Sequence, residues 1–442
     1  MFNVATLAPI LQTLMTTTAD ELAVQARFVQ RRRGLTGADF LRALTFGFLK
    51  KRNAPLEALA QPLGISKQAL DERLGKPSAP DFFKRALLAA VRCVLDATPA
   101  VCPLLASFDG VYLDDSTQAW LPDDASDDFP GTGATSPEHA KARMKILVRW
   151  EILRGNVCHV GIHPGRLSDH DALDGAPPVP QGGMHLRDLG FCDFERLRDE
   201  SEQGVYWATR LPAQTRFYPE QGPDVPLAKQ LEAWRKEGLG AVDVDGEVGN
   251  KDSVEGRLVC LACPAGVVAR RLARLQKDAK HRGRQVSERQ REMCRWTVLL
   301  TNVPRDRLST RQVWEVYRLR WQIELLFKRF KSEGGLGETR SGKRNRVESE
   351  WYGKLLGQLI RNWAQLLRGG PLCDVNLAQI GRVVADHLGK VAEALRDGRG
   401  LDQALAELEA ELKRVRGRTA RQKRKTAART FAQSLDEFVL AA

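Results

Sequence analysis

The chain has 442 residues, 43% of them hydrophobic and 28% charged, which is ordinary for a globular protein with room for two to four domains and a sizeable core. Lys and Arg number 68 against 55 Asp and Glu, a net charge of +13 that favours a polyanionic partner, nucleic acid before membrane. No apolar run approaches the roughly 18 residues of a membrane span. The start, MFNVATLAPI, lacks a basic signal-peptide region, and eight scattered cysteines suit reduced thiols better than a disulfide framework, so a cytoplasmic protein is expected.

From Thr18 to Ala100 the pattern is helical. Residues 56–70, LEALAQPLGISKQAL, read as a helix-turn-helix in which Gly64 ends the first helix and Ser66 caps the second. The second helix would show Lys67, Gln68 and Arg73 outward, in the manner of a helix entering a DNA major groove; a plain helical hairpin is the competing reading. Arg31, Arg32 and Arg33 read as phosphate contacts or as a solvated turn.

Residues 104–121, LLASFDGVYLDDSTQAWL, alternate as a strand and bring three carboxylates together, Asp109, Asp114 and Asp115. Hard cations such as Mg²⁺ need oxygen ligands, and two-metal phosphoryl chemistry needs carboxylates converging from different elements. Residues 144–162 are two apolar runs joined by Gly155 and Asn156, a hairpin. Lys145, early in that hairpin, is a candidate DNA-facing cation. Ser168-Asp-His-Asp171 reads as a surface turn capping the next helix rather than as a metal site. A further strand ends near Asp188, followed by a helix, DFERLRDESEQ, and a strand, VYWATRL.

Asp188 and Glu324 are 136 positions apart, while one helix, one strand and their loops need roughly 30–40 residues. If the two acids belong to one compact core, as the resemblance set out below implies, an extra module of about 90 residues is expected here. Its runs at 240–248 and 257–263 are β-like, and Cys260 with Cys263 reads as partly buried thiols rather than a zinc pair. Residues 269–295 are strongly basic and helical, either a DNA-backbone contact or a solvated hairpin. Trp296 then opens a strand, where from the surrounding residues alone it reads as core filler.

Ser309 to Gly335, STRQVWEVYRLRWQIELLFKRFKSEGG, reads as one long helix with a Ser309/Gln312 capping box and a Gly334-Gly335 stop. Val316, Leu319, Ile323, Leu326, Phe327 and Phe330 share one arc about 100° wide and should face a core. Tyr317, Arg320, Glu324, Lys328 and Lys331 fall on the adjoining arc. Beyond it lie a basic loop, Thr339 to Arg346, a core helix around 350–360, amphipathic helices past Pro371 and a dense basic run from Lys413 to Lys425.

The spacing Tyr317-x2-Arg320-x3-Glu324-x6-Lys331 resembles the signature of the type-4 insertion-sequence transposases, DDE enzymes with an RNase H-like core, and Arg-Trp-x-Ile-Glu-x2-Phe-Lys at 320–328 is similar to that family's text. Asp115-Ser-Thr-Gln-Ala-Trp-Leu-Pro122 with Phe129-Pro-Gly-Thr-Gly133 looks like the family's Asp-Ser-Thr…Leu-Pro…Pro-Gly-x-Gly stretch, and Asp188-Leu-Gly-Phe191 like its second aspartate motif. The resemblance, over about residues 30 to 370, implies that Asp115, Asp188 and Glu324 hold two Mg²⁺ ions, with Mn²⁺ as a substitute and Asp109 as the understudy of Asp115. It implies that Tyr317, Arg320 and Lys331 grip phosphates near the scissile bond. Trp296, 21 positions before Tyr317, matches the place of a base-stacking tryptophan in relatives that form a hairpin.

The expected fold is α/β. A helical DNA-binding region at 1–100 carries the helix-turn-helix, and an RNase H-like mixed-sheet core at 101–205 and 296–370 is interrupted by a β-rich insertion at 206–295. A helical region with a basic tail follows at 371–442. The expected function is metal-dependent cut-and-paste excision and strand transfer of an insertion sequence. Its partners are double-stranded DNA (terminal inverted repeats and target) and a second copy of the chain, in a nucleoid-associated setting. An RNase H-like nuclease without strand transfer and a non-catalytic, transposase-derived DNA-binding protein are the alternatives.

Overall fold

The computed structural model describes residues 3–30, 34–93, 103–132, 141–220, 223–281, 283–368 and 377–415. The arginine triplet at 31–33, Gly133 and the basic tail from 416 onward lie outside the described residues. Two compact units emerge, one from the described residues among 1–101, 116–176 and 322–442, the other from those among 102–115 and 177–321.

Ten strands are ordered β3-β2-β1-β4-β5-β10-β9-β8-β6-β7. They are β1 (Val111–Trp120), β2 (Arg143–Glu151), β3 (Asn156–Pro164), β4 (Met184–Arg187), β5 (Tyr206–Arg210), β6 (Arg216–Pro219), β7 (Val225–Pro226), β8 (Ala241–Gly249), β9 (Ser253–Ala262) and β10 (Trp296–Thr301). The hairpin β2–β3 is antiparallel, whereas β4 runs parallel to both β1 and β5. The run β3-β2-β1-β4-β5, antiparallel then parallel, is the RNase H-like mixed sheet expected from the sequence.

In the second unit, β10 lies antiparallel between β5 and β9, and β8 and β6 follow on outward. The inserted residues thus prolong the core sheet edge instead of making a sheet of their own. The alternation of β8 and β9 looks the same either way, so the sequence carries no sign of which edge they join. Their apolar face is closed by α8 (Phe194–Glu202) and α9 (Leu227–Lys236). Leu197, Trp207, Phe217, Leu231, Val298 and Leu300 form one buried cluster there. Truncating a tryptophan in such a cluster costs about 3–5 kcal/mol. Then α10 (Ala265–His281), α11 (Glu288–Met293) and α12 (Thr310–Arg318) complete the unit.

In the first unit the N-terminal helices α1 (Val4–Thr13), α2 (Ala19–Gln25), α3 (Gly37–Lys50), α4 (Leu56–Ala60), α5 (Lys67–Leu74) and α6 (Ser78–Arg92) gather with α13 (Trp321–Gly334), α14 (Arg344–Leu366), α15 (Leu377–Asp397) and α16 (Leu401–Arg414). A short α7 (Asp169–Ala172) follows the β2–β3 hairpin. α14 is buried nearly all round, as a helix in the middle of a bundle must be, with α3, α6 and α15 against it. Its polar side chains are put to use at the end of α13. Lys354 Nζ donates to the carbonyls of Gly335 and Glu338, both at 3.1 Å, and Arg361 lies 3.1 Å from Glu333. Burial lowers the Lys354 ammonium pKa. Gly335, at φ +62°, ends α13 in the left-handed region that glycine tolerates, and a Cβ there would collide with Arg52.

The long helix expected from Ser309 to Gly335 is two helices. Leu319 and Arg320 form a turn in which their amides donate to Val316 and Tyr317, three residues back, replacing the helical four-residue bonds. No glycine or proline marks the break, and the apolar periodicity runs straight through it. All six residues of the expected apolar arc are buried nonetheless.

Candidate active site

β1 and β4 lie side by side with Asp114 in register with Arg187. Asp115 is the next residue on β1 and Asp188 the first residue past β4, so two carboxylates are delivered by neighbouring strands of one unit. Arg320 meets both. Its Nη1 donates to Asp115 Oδ2 at 3.2 Å and its Nε lies 3.9 Å from Asp188 Oδ1. Arg210 Nη1 is 4.0 Å from the same Asp188 oxygen. The side chains of Arg320, Asp115 and Asp188 are 12%, 17% and 34% exposed, so the group is half-sheltered and opens on the Asp188 side. A pair of carboxylates that one cation already shares is a hard-oxygen donor set suited to a divalent ion.

Alternation along β1 decides which aspartate is available, because neighbours on a strand point to opposite faces. Asp114 is fully buried and its Oδ2 is 2.9 Å from His185 Nε2. The other nitrogen of His185 is 2.9 Å from Glu200 Oε1, which also accepts from Arg187 Nη2 at 2.6 Å. This buried layer ties β1, β4 and α8 together beneath the acid pair. The sequence reading passed over His185, Arg187 and Glu200. The available signal was a polar residue at both alternate positions, 185 and 187, of a short strand that is buried throughout. Asp109 is exposed at the bend before β1, six positions ahead of Asp115.

Several expected DNA-facing groups turn out to be committed inside the protein. Tyr317 is buried, and its hydroxyl donates to the Arg187 carbonyl at 3.0 Å, with Asp188 Oδ1 at 3.5 Å. Burial, reinforced by the Asp188 charge, pushes its phenol well above the ordinary range. Tyr317 therefore supports Asp188 from behind and offers no open face to a phosphate. Trp296 is 2% exposed in the β10 core, its indole nitrogen 3.4 Å from Glu292. With its ring covered by its own protein, it sits as core filler would. Lys145 is buried beside Asp169 Oδ1 at 2.7 Å, and Ser116 donates to the same oxygen at 2.6 Å. Arg73 turns inward, donating to the Phe28 carbonyl at 3.3 Å and lying over the Phe40 ring.

Other positions match their expected surroundings. Gly64 takes φ +65° between α4 and α5, and Ser66 Oγ accepts from the Ala69 amide at 3.2 Å as the cap of α5. Lys67 and Gln68 are exposed there, Lys67 paired with Glu57 at 2.7 Å. Glu324, Lys328 and Lys331 are exposed on α13, in the first unit. Ser168 caps α7 by accepting from Asp171 N at 3.0 Å. Cys260 is buried and its thiol pushed up by desolvation, while Cys263 accepts from Arg271 at 3.1 Å. Among the described residues no group of three or more His, Cys, Asp and Glu side chains is placed to hold a metal. None of the described helices is long and apolar enough to cross a membrane. α10 buries no residue, and Arg270, Arg274 and Lys277 are exposed along one side of it.

An RNase H-like sheet that presents two aspartates from neighbouring parallel strands defines the metal-dependent nucleic-acid phosphoryl-transfer class. Residues 107–360 match the family described as the transposase DDE domain, and the chain belongs to that family. It is an insertion-sequence DDE transposase, an enzyme that cleaves and joins DNA with divalent metal. It is similar to the transposase for insertion sequence element IS231F of Bacillus thuringiensis subsp. israelensis, 25% identical over 88% of this chain and 87% of that one. It is also similar to the transposase for IS1151 of Clostridium perfringens, 24% identical over 83% of this chain and 81% of that one. A putative transposase InsL for IS186A of Escherichia coli K12 is 39% identical over 90 residues, 20% of this chain and 24% of that one.

Proposed function

We propose that the protein excises and reinserts its insertion sequence by cut-and-paste, with Asp115, Asp188 and Glu324 as the acid set that holds two Mg²⁺ ions, Mn²⁺ substituting. The observation that carries this reading is the delivery of Asp115 and Asp188 from adjacent parallel strands onto one shared cation, Arg320. Bound divalent ions supply activation of the attacking oxygen and charge stabilisation of the leaving one. The chain's own residues do the rest. Asp114, His185 and Arg187 hold the two strands in register so that the carboxylates stay converged. Arg320 and Lys331 grip phosphates, Arg as a planar fork and Lys as a point charge. Lys67 and Gln68 on α5 read the terminal inverted repeat, and α10 follows the backbone through Arg270, Arg274 and Lys277. Two ends are brought together by two copies of the chain, on DNA in the bacterial cytoplasm.

The direct test is Glu324→Gln. It is expected to abolish Mg²⁺-dependent cleavage of a terminal-repeat duplex while leaving gel-shift binding of that duplex intact, and full cleavage by the variant would overturn the assignment. Joining of a pre-cut end to target DNA separates transposition from simple nuclease activity.

A further inference from the structure

We infer that Arg320 couples metal loading to DNA binding, by occupying the carboxylate oxygens until a DNA phosphate draws its guanidinium away. This rests on the reading of Asp115 and Asp188 as metal-holding residues. The guanidinium reaches Asp115 at 3.2 Å and Asp188 at 3.9 Å, so it competes for the same oxygen atoms as a divalent ion. Two cations on one half-sheltered carboxylate pair repel each other at short range, and little solvent screens them.

Which group yields is set by how each is held. On the acid side, Asp114 is bonded to His185, Arg187 to Glu200, and the Arg187 carbonyl to Tyr317. The backbone carrying both carboxylates is thereby fixed in a buried layer. Arg320 instead sits in the turn between α12 and α13, with its amide on the Tyr317 carbonyl three residues back. Its side chain also bonds the Tyr317 hydroxyl, but that contact and the two carboxylates hold only the guanidinium, so the side chain can change partners without unwinding a helix. Swinging needs a second partner for a planar, permanently charged fork, and a phosphate diester supplies two oxygens in matching geometry. Arg210 remains 4.0 Å from Asp188 as a weaker, singly engaged cation.

Linkage then works in both directions, since a phosphate that removes Arg320 raises metal affinity and a bound metal that displaces Arg320 raises DNA affinity by the same factor. The device keeps the acid pair from loading metal, and so from cutting, until an end is seated.

The test is direct Mn²⁺ binding to the full chain, read from the free-ion electron paramagnetic resonance signal, with Mn²⁺ alone and with a duplex from the element's own end. Wild-type protein is expected to bind Mn²⁺ about tenfold more tightly when the duplex is present. Arg320→Ala is expected to show that tighter binding without DNA and to gain less than about twofold from the duplex. Arg320→Lys, which keeps the charge but not the fork, should fall between them, and circular dichroism melts check that each variant is folded. If folded Arg320→Ala and Arg320→Lys both bind Mn²⁺ no more tightly than wild type without DNA, the coupling is wrong. Asp115→Asn is the control for the underlying reading. If it binds Mn²⁺ as wild type does, the metal site itself falls; if it loses Mn²⁺ while the Arg320 variants stay at the wild-type value, only the coupling does.

Discussion

Two acidic groups in this chain look alike as text and differ in what holds them. Asp169, in the Ser-Asp-His-Asp turn, is committed, because a buried lysine and Ser116 both bond to one of its oxygens. Asp115 and Asp188 instead share one guanidinium, that of Arg320, at 3.2 and 3.9 Å. A carboxylate used to neutralise a buried ammonium cannot be given up without leaving that charge unpaired, whereas one of two that share a planar guanidinium leaves it the other partner. How a carboxylate's partner is shared, more than the presence of acid, separates a structural carboxylate from one proposed as a ligand.

Neutralising one acid of each kind separates the two most strongly. Asp115→Asn is expected to cut Mg²⁺-dependent cleavage by about a thousandfold or more, the loss of several kcal/mol of transition-state stabilisation, with little change in melting temperature. Asp169→Asn is expected to do the reverse. Cleavage by the folded variant stays within a few-fold, while urea unfolding shows about 1.5–3 kcal/mol lost with the charged hydrogen bond to Lys145. Equal effects of the two substitutions on cleavage would erase the distinction.

A fourth carboxylate, Asp243, carries the contrast to pH. Burial acts to raise the Asp243 pKa, but hydrogen bonds from Arg257 and Thr310, with the charges of Arg257 and Arg305, outweigh it and hold the folded value low. The folded carboxyl therefore binds its proton more weakly than the unfolded one. Its contribution is complete above the unfolded value of about 3.9 and fades as pH falls through the folded value. The stability gap between wild type and Asp243→Asn, by urea unfolding, should be constant near neutrality and shrink only in acid. A gap that grew on acidification would contradict the sign. The smallest expected effect is on α5. Lys67→Ala should weaken end binding a few-fold and reduce the salt slope by about one ion, because a single phosphate contact is lost. An unchanged slope would leave Lys67 as no more than the partner of Glu57.

Local chemistry determined much of this protein from sequence alone. The caps at Ser66 and Ser168, the glycines at 64 and 335, the Ser309/Gln312 box and the apolar arcs depend on residues a few positions apart, so spacing exposes them. The order of helices and strands around Asp188 followed from the same periodicities. The tertiary structure alone decided the rest. It turned Asp114 into the core and left Asp115 beside Arg320, a partner 205 positions away. It broke the long helix at Leu319–Arg320 where no breaker stands, and it laid the inserted strands along the core sheet. It also buried Tyr317 and Lys145, which sequence had aimed at DNA, and Trp296, which sequence had left between core and DNA. The physical reason is common to these cases. Periodicity says which side of an element is apolar, but whether a polar or aromatic group on its margin meets solvent or protein depends on neighbours distant in the chain.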